Sequence, residues 1–172
     1  MVTRSIHDLI ASCRKCEFVD KPFCTQRVYE RFLPKRLRVL VVSESPPPGQ
    51  KPDYLYNLSH PDRLRRVLAK TFGTQEAQLT SFLVKHGIFW TTAVKCRPPS
   101  KKEVEAMRKN CLEVLRLELE KLKPKRVVAL GKVALNSLGE LGVTPAGKHH
   151  HPLYLARFRR RELGILKDLI LG

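Results

Sequence analysis

The chain predicts an α/β fold, a three-layer α/β/α sandwich around a central, mostly parallel four-stranded sheet. Short apolar runs rich in β-branched residues alternate with longer stretches of helical spacing, the pattern of parallel strands joined by helices. Glu44, Lys95 with Cys96, and Gly131 each fall where a predicted strand ends. Ligands and catalysis in such sheets gather at the carboxyl ends of the strands.

Residues 5–11 carry Ile6, Leu9 and Ile10 on one face of a short helix leading into Cys13. Residues 37–43 read as a buried central strand, stopped by three prolines that neither a ladder nor a helix accepts. Stretches 61–72 and 75–86 have helical spacing, with Leu64, Val67, Leu68 and Phe72 on one stripe. Residues 88–94 form the second expected strand, 102–122 a long amphipathic helix, and 126–130 a third strand running into Gly131 and a helix over 132–139. A last short strand is expected at 153–156 and a closing helix over 160–171. With 172 residues, 42% of them hydrophobic, one domain over 1–172 can bury a core of its own.

The 33 Lys and Arg against 16 Asp and Glu leave a formal charge of +17, which calls for an anionic partner. Nucleic acid is the leading candidate. No apolar run approaches the roughly 20 residues that span a bilayer, and the N-terminus shows no signal-peptide core. A cytoplasmic protein, without membrane association, is therefore expected. Few Asn and Gln beside many charged residues point weakly to a thermophile.

In a reducing compartment paired thiols bind metals more readily than they form disulfides. Cys13-x-x-Cys16 makes one clamp, Cys96 with Cys111 a second, and Cys24 is left as a spare. Four thiolates suit an iron–sulfur cluster, and spacing alone fits zinc equally well.

Four ordered blocks carry a resemblance. Val42-Ser-Glu-Ser-Pro-Pro-Pro-Gly49, Phe89-Trp-Thr-Thr-Ala-Val-Lys-Cys-Arg-Pro-Pro99, Val127-Val-Ala-Leu-Gly-Lys-Val-Ala134 and His151-Pro-Leu-Tyr-Leu-Ala-Arg157 resemble motifs of the uracil-DNA glycosylase superfamily, in particular its iron–sulfur branch, family 4. The resemblance spans roughly residues 13–157. It implies a 4Fe–4S cluster on Cys13, Cys16, Cys96 and Cys111, with zinc as runner-up. It also implies catalysis by Glu44, a carboxylate suited to an oxocarbenium-like transition state, and by His151, a donor to the departing base. Tyr54 or Tyr56 would stack on the base, and Thr92 stands where the family has an Asn that reads it. Tyr154, Leu155 and Arg157 would press into the duplex, while Lys95, Arg97, Lys101 and Lys102 would touch phosphates.

Two departures mark a divergent member. Ser43 replaces the leading glycine of the first motif, and Thr92 offers one hydroxyl in place of a carboxamide. The expected function is a monofunctional DNA glycosylase of base-excision repair, monomeric, acting on uracil or a related deaminated base such as hypoxanthine, with weakened uracil selectivity. DNA, single- or double-stranded, is the expected partner. The competing class is a non-catalytic iron–sulfur protein binding single-stranded or damaged DNA, and an RNA-directed member of the fold is a third.

Overall fold

A computed structural model describes residues 2–16 and 19–172, with side chains from residue 5 onward. Four parallel strands lie in the order β2-β1-β3-β4. They are β1 (Val39–Ser43), β2 (Ile88–Thr92), β3 (Arg126–Leu130) and β4 (Gly147–His149). In chain order the helices are α1 (Val2–Ser12), α2 (Pro22–Thr25), α3 (Val28–Phe32), α4 (Arg63–Phe72), α5 (Leu79–Lys85), α6 (Val104–Asn110), α7 (Leu112–Leu122), α8 (Lys132–Glu140), α9 (Pro152–Phe158) and α10 (Leu163–Leu171). The α/β class, the parallel sheet and the number of strands agree with the sequence reading, three of the four strands lying where it places them. Among the described residues no helix is long and apolar enough to cross a membrane.

Every residue of β1 and β2 is buried, as the unbroken apolar runs require of strands covered on both faces. On one face, Thr91 of β2 and Tyr29 of α3 both bond Glu118 of α7. On the other, the Leu169 carbonyl of α10 accepts from Arg126, and the Leu169 side chain lies over the bare Cα of Gly147.

Three local readings change. Residues 153–156 are not a strand but part of α9: His151 is extended (φ −60, ψ 139), and Pro152 at the first helical position starts a helix. The fourth strand is Gly147–His149, three residues without a β-branched side chain, which left no strand signal. The stretch 102–122 breaks at Cys111 into α6 and α7, after a 3-10 turn closed by a Ser100–Glu103 capping box. Helices α2 and α3, too short for a periodic signal, bury Phe23, Val28, Tyr29 and Phe32.

Gly87 turns the chain into β2 at φ +69, where a Cβ would stand 2.7 Å from the Arg36 carbonyl oxygen. Gly87→Ala should lower stability by roughly 1–3 kcal/mol, from a left-handed backbone and a clash with main chain together. Urea unfolding monitored by circular dichroism checks this, with Gly73→Ala (φ +72, no atom within 4 Å of the added Cβ) reporting the backbone cost alone.

Candidate active site

The carboxyl ends of β1, β3 and β4 open into a cavity of about 590 Å³. Glu44 enters it directly after β1, its backbone carbonyl fixed by the Val94 N–H at 3.0 Å. Its carboxylate is one-third exposed and lies 3.6 Å from Lys101 Nζ. Lys51, seven residues further on, pairs with Asp53 at 3.7 Å. Gly131 lines the cavity at φ +89, ψ 167, a backbone region open only to glycine, where an added Cβ would stand 4.0 Å from His151 Cβ.

His151 is half-buried on the same cavity wall. Its Nδ1 accepts the Leu153 N–H at 3.3 Å, capping α9. A neutral imidazole that accepts at Nδ1 carries its proton on Nε2. Burial, and secondarily the Lys101 charge, push its pKa down to about 4, so the ring is neutral at pH 7. Glu44 and His151 thus present a carboxylate and a neutral N–H donor to one space.

Asp62, which sequence reasoning passed over, also lines this cavity. It caps α4 by accepting the Arg65 N–H at 2.9 Å, and burial raises its pKa to about 6. Its signal was available in the sequence: an Asp after Pro61, just before a helical stripe, is an N-cap pattern. Arg63 and Phe158 are further lining residues without an earlier assignment, and His150, which with His149 competes with His151 as donor on sequence alone, lines the cavity too.

Behind the cavity, Ser43, Tyr54, Tyr56, Trp90 and Thr92 line a recess of about 10 Å³, room for about one water. Its polar atoms are taken up internally. Trp90 Nε1 donates to Ser43 Oγ at 3.0 Å, and Thr92 Oγ1 donates to the Val94 carbonyl at 2.6 Å. Tyr56 Oη donates to the Trp90 carbonyl and accepts the Trp90 N–H, closing the outer edge of β2. Tyr54 and Tyr56 are core tyrosines within an aromatic cluster of Phe23, Tyr29, Phe32 and Phe89, so neither offers a free stacking face.

Several basic and apolar assignments need correction. Lys95 is 1% exposed, paired with Glu118 and bonded to Thr91 Oγ1 and the Thr92 carbonyl, so it reaches no phosphate. Arg97 is buried against Asp20 and donates to the Pro47 and Asp53 carbonyls, bracing the proline loop. Leu155 is fully buried on the inner face of α9 and cannot act as a wedge. Lys101, Tyr154 and Arg157 do line the cavity, and Lys102 is exposed outside it.

Cys13, Cys16, Cys96 and Cys111 are free thiols that lie within electrostatic reach of one another; Cys24 sits apart, its Sγ 3.8 Å from the His7 carbonyl. Cys96 and Cys111 are buried with Val94, Val104 and Met107, and Cys16 packs against them. The Lys95 N–H approaches Cys111 Sγ at 3.5 Å and Asn110 Nδ2 approaches Cys16 Sγ at 3.4 Å. Burial, then the neighbouring thiols, raise Cys96 to about 12. Among the described residues no three His, Cys, Asp or Glu side chains are grouped closely enough to hold a metal ion. The four thiols are the donor set with the chemistry for a soft metal or cluster.

This fold and site define a class. The profile of the Uracil DNA glycosylase superfamily matches residues 30–169, and the chain belongs to that superfamily. Over 152 residues it is 30% identical to the type-4 uracil-DNA glycosylase of Pyrobaculum aerophilum, an alignment covering 82% of this chain and 66% of that protein. It is also 42% identical to the type-5 uracil-DNA glycosylase of the same organism over 64 residues, 37% of this chain and 28% of the relative. The chain thus spans just under two thirds of the type-4 relative's length.

The two shifted groups on the cavity act on stability in opposite directions. His151 takes its proton near pH 4 in the folded chain and near 6.5 unfolded, so its contribution is lost as pH falls across that window. Asp62 takes its proton near 6 folded and near 3.8 unfolded, so its ionisation costs stability as pH rises through that range. His151→Asn keeps an acceptor at the cap of α9. Its stability relative to the parent should improve steadily from pH 6.5 to pH 4, read by urea midpoints at each pH.

Proposed function

We propose that the chain is a monofunctional DNA glycosylase of base-excision repair, hydrolysing the N-glycosidic bond of uracil or a related deaminated base. The observation that carries this reading is the pairing of Glu44 and His151 on one cavity at the carboxyl edge of the sheet. As the C1′–N bond breaks, its electron pair leaves with the base and positive charge grows on the sugar. Glu44 offsets that charge, orients a water and takes its proton as the water oxygen bonds to C1′. His151 Nε2–H donates to the base oxygen on which negative charge collects, and the departing base takes up a proton from solvent. A neutral donor suits this task, and the low pKa of His151 keeps it neutral across the physiological range.

Thr92 bears on which base is accepted. Its only proton is engaged with Val94 O, and the recess it lines has room for about one water, so a base would meet only its acceptor lone pair, and only with that recess opened. An acceptor pairs with the N3–H of uracil or with the amino group of cytosine, so it separates the two poorly. A second reading, a DNA-binding member without chemistry, draws support from the closed recess behind the cavity. Both are tested by incubating excess protein with oligonucleotides carrying uracil, hypoxanthine or no lesion, followed by alkali. Lesion-dependent abasic sites are expected, reduced at least about 100-fold in Glu44→Ala and His151→Ala, with uracil-over-cytosine preference rising in Thr92→Asn. DNA binding with no abasic product on any lesion would establish the second reading.

Cys13, Cys16, Cys96 and Cys111 have the donor chemistry of a 4Fe–4S cluster, although they are not drawn together closely enough for a single metal ion: four thiols, two of them approached by N–H donors, with imidazole and carboxylate absent from the set. Bound there, the cluster supplies architecture, tying the N-terminal segment to the turn after β2, because the proposed hydrolysis transfers no electrons. Anaerobically purified protein should contain iron and sulfide and absorb broadly in the visible. Cys96→Ser should abolish both signals and Cys24→Ser neither, whereas stoichiometric zinc in a colourless protein would reassign the metal.

A further inference from the structure

A ladder of three exposed rings stands on the cavity wall. His150 and Tyr154 have ring centroids 4.8 Å apart, and Tyr154 and Phe158 5.0 Å. Tyr154 is 41% exposed and Phe158 61%, although among the described residues the other large aromatics are buried in the core or packed against it. Both rings line the cavity that holds Glu44 and His151, as do His150 and Arg157. The Arg157 guanidinium lies 5.0 Å from the Phe158 ring centre. Arg63 and Lys101 are on the same cavity, and Arg160 and Arg161 follow exposed after α9.

Exposed aromatic rings in a row, tilted by 36° and 48° to one another, beside a row of cations and continuous with the candidate active site, match one ligand chemistry. Every unpaired base has a π-face to stack, and every nucleotide brings a phosphate for a nearby cation. In a duplex those faces are already covered by neighbouring base pairs, so a ring ladder gains nothing from them. We propose that His150, Tyr154 and Phe158 form a stacking platform for unpaired DNA nucleotides flanking the target base, giving the enzyme a preference for single-stranded substrate. The proposal deepens the glycosylase reading, and Phe158 becomes a specificity-determining residue for strand type. Tyr154, first assigned to a wedge in duplex DNA, takes a different role here: its exposed ring stands in a row with those of His150 and Phe158.

Binding of lesion-free oligonucleotides tests this without any need for catalysis, so its failure is distinct from a failure to release bases. The full chain is titrated with a fluorescent single-stranded 20-mer and with the same sequence as a duplex, over a range of salt. Tyr154→Ala and Phe158→Ala should each weaken single-strand binding about tenfold, within the range for one lost base–aromatic stack. Duplex binding should change less than about twofold, and the salt slope should stay constant because no charge is removed. Phe158→Trp should restore native single-strand affinity. Arg157→Gln should reduce the salt slope by about one for both forms. Because the rings are exposed, the circular dichroism of the alanine variants should match the parent. Equal losses on single strand and duplex, no loss on either, or a loss confined to single-stranded RNA would each overturn the proposal.

Discussion

Between the sheet and α7 a lysine and a glutamate meet with water excluded from both, and the chain's irregular segments hang from that contact. Lys95 Nζ is bonded to Glu118, to Thr91 Oγ1 and to the Thr92 carbonyl; Glu118 also accepts from Tyr29 and from Thr91. Burying two opposite charges costs several kcal/mol each, and is tolerated when the remaining protons and lone pairs are satisfied as they are here. The arrangement locks α3, β2 and α7 in one register. It also fixes the turn at 95–96, which places Cys96 and brings the Lys95 N–H toward Cys111 Sγ. The thiol cluster and the end of β2 are therefore positioned by the same pair.

Two arginines extend this logic to the segment between β1 and α4, which carries Glu44 and has little regular structure. Arg97 donates to the Pro47 and Asp53 carbonyls from one side, and Arg65 to the Leu55 and Asn57 carbonyls from the other. Main-chain acceptors that no strand or helix satisfies are met by buried guanidinium groups. Part of the basic composition is thus internal architecture. The cations left for a polyanion are those outside, and beside the cavity these include Arg63, Lys101, Lys102 and the arginines around α9.

The cavity shows how divergence acts through packing. Ser43, where the family motif has glycine, supplies a hydroxyl that anchors Trp90, and Trp90 fills space behind the cavity. Thr92 turns its proton back to its own turn. Base contacts are left to the wider opening between Glu44, Asp62 and His151.

Periodicity and residue type alone made the parallel α/β sheet legible, because fully buried strands need unbroken β-branched runs and the helices between them need an apolar stripe. The positions of Glu44 and His151 were legible for a related reason: a polar group directly after a parallel strand lies at its carboxyl end, and Pro152 holds His151 to an extended backbone. The four-cysteine set was likewise visible as chemistry. What only the tertiary structure decided was which side of the surface each polar side chain took. Lys95 and Arg97 look like phosphate contacts and are buried braces; Tyr54 and Tyr56 look like stacking rings and are core; Phe158 carried no signal and stands open. A linear pattern encodes local conformation, whereas burial of a long side chain depends on which distant acceptor comes within reach, such as Glu118 for Lys95 across 23 residues. That distance is set by folding alone.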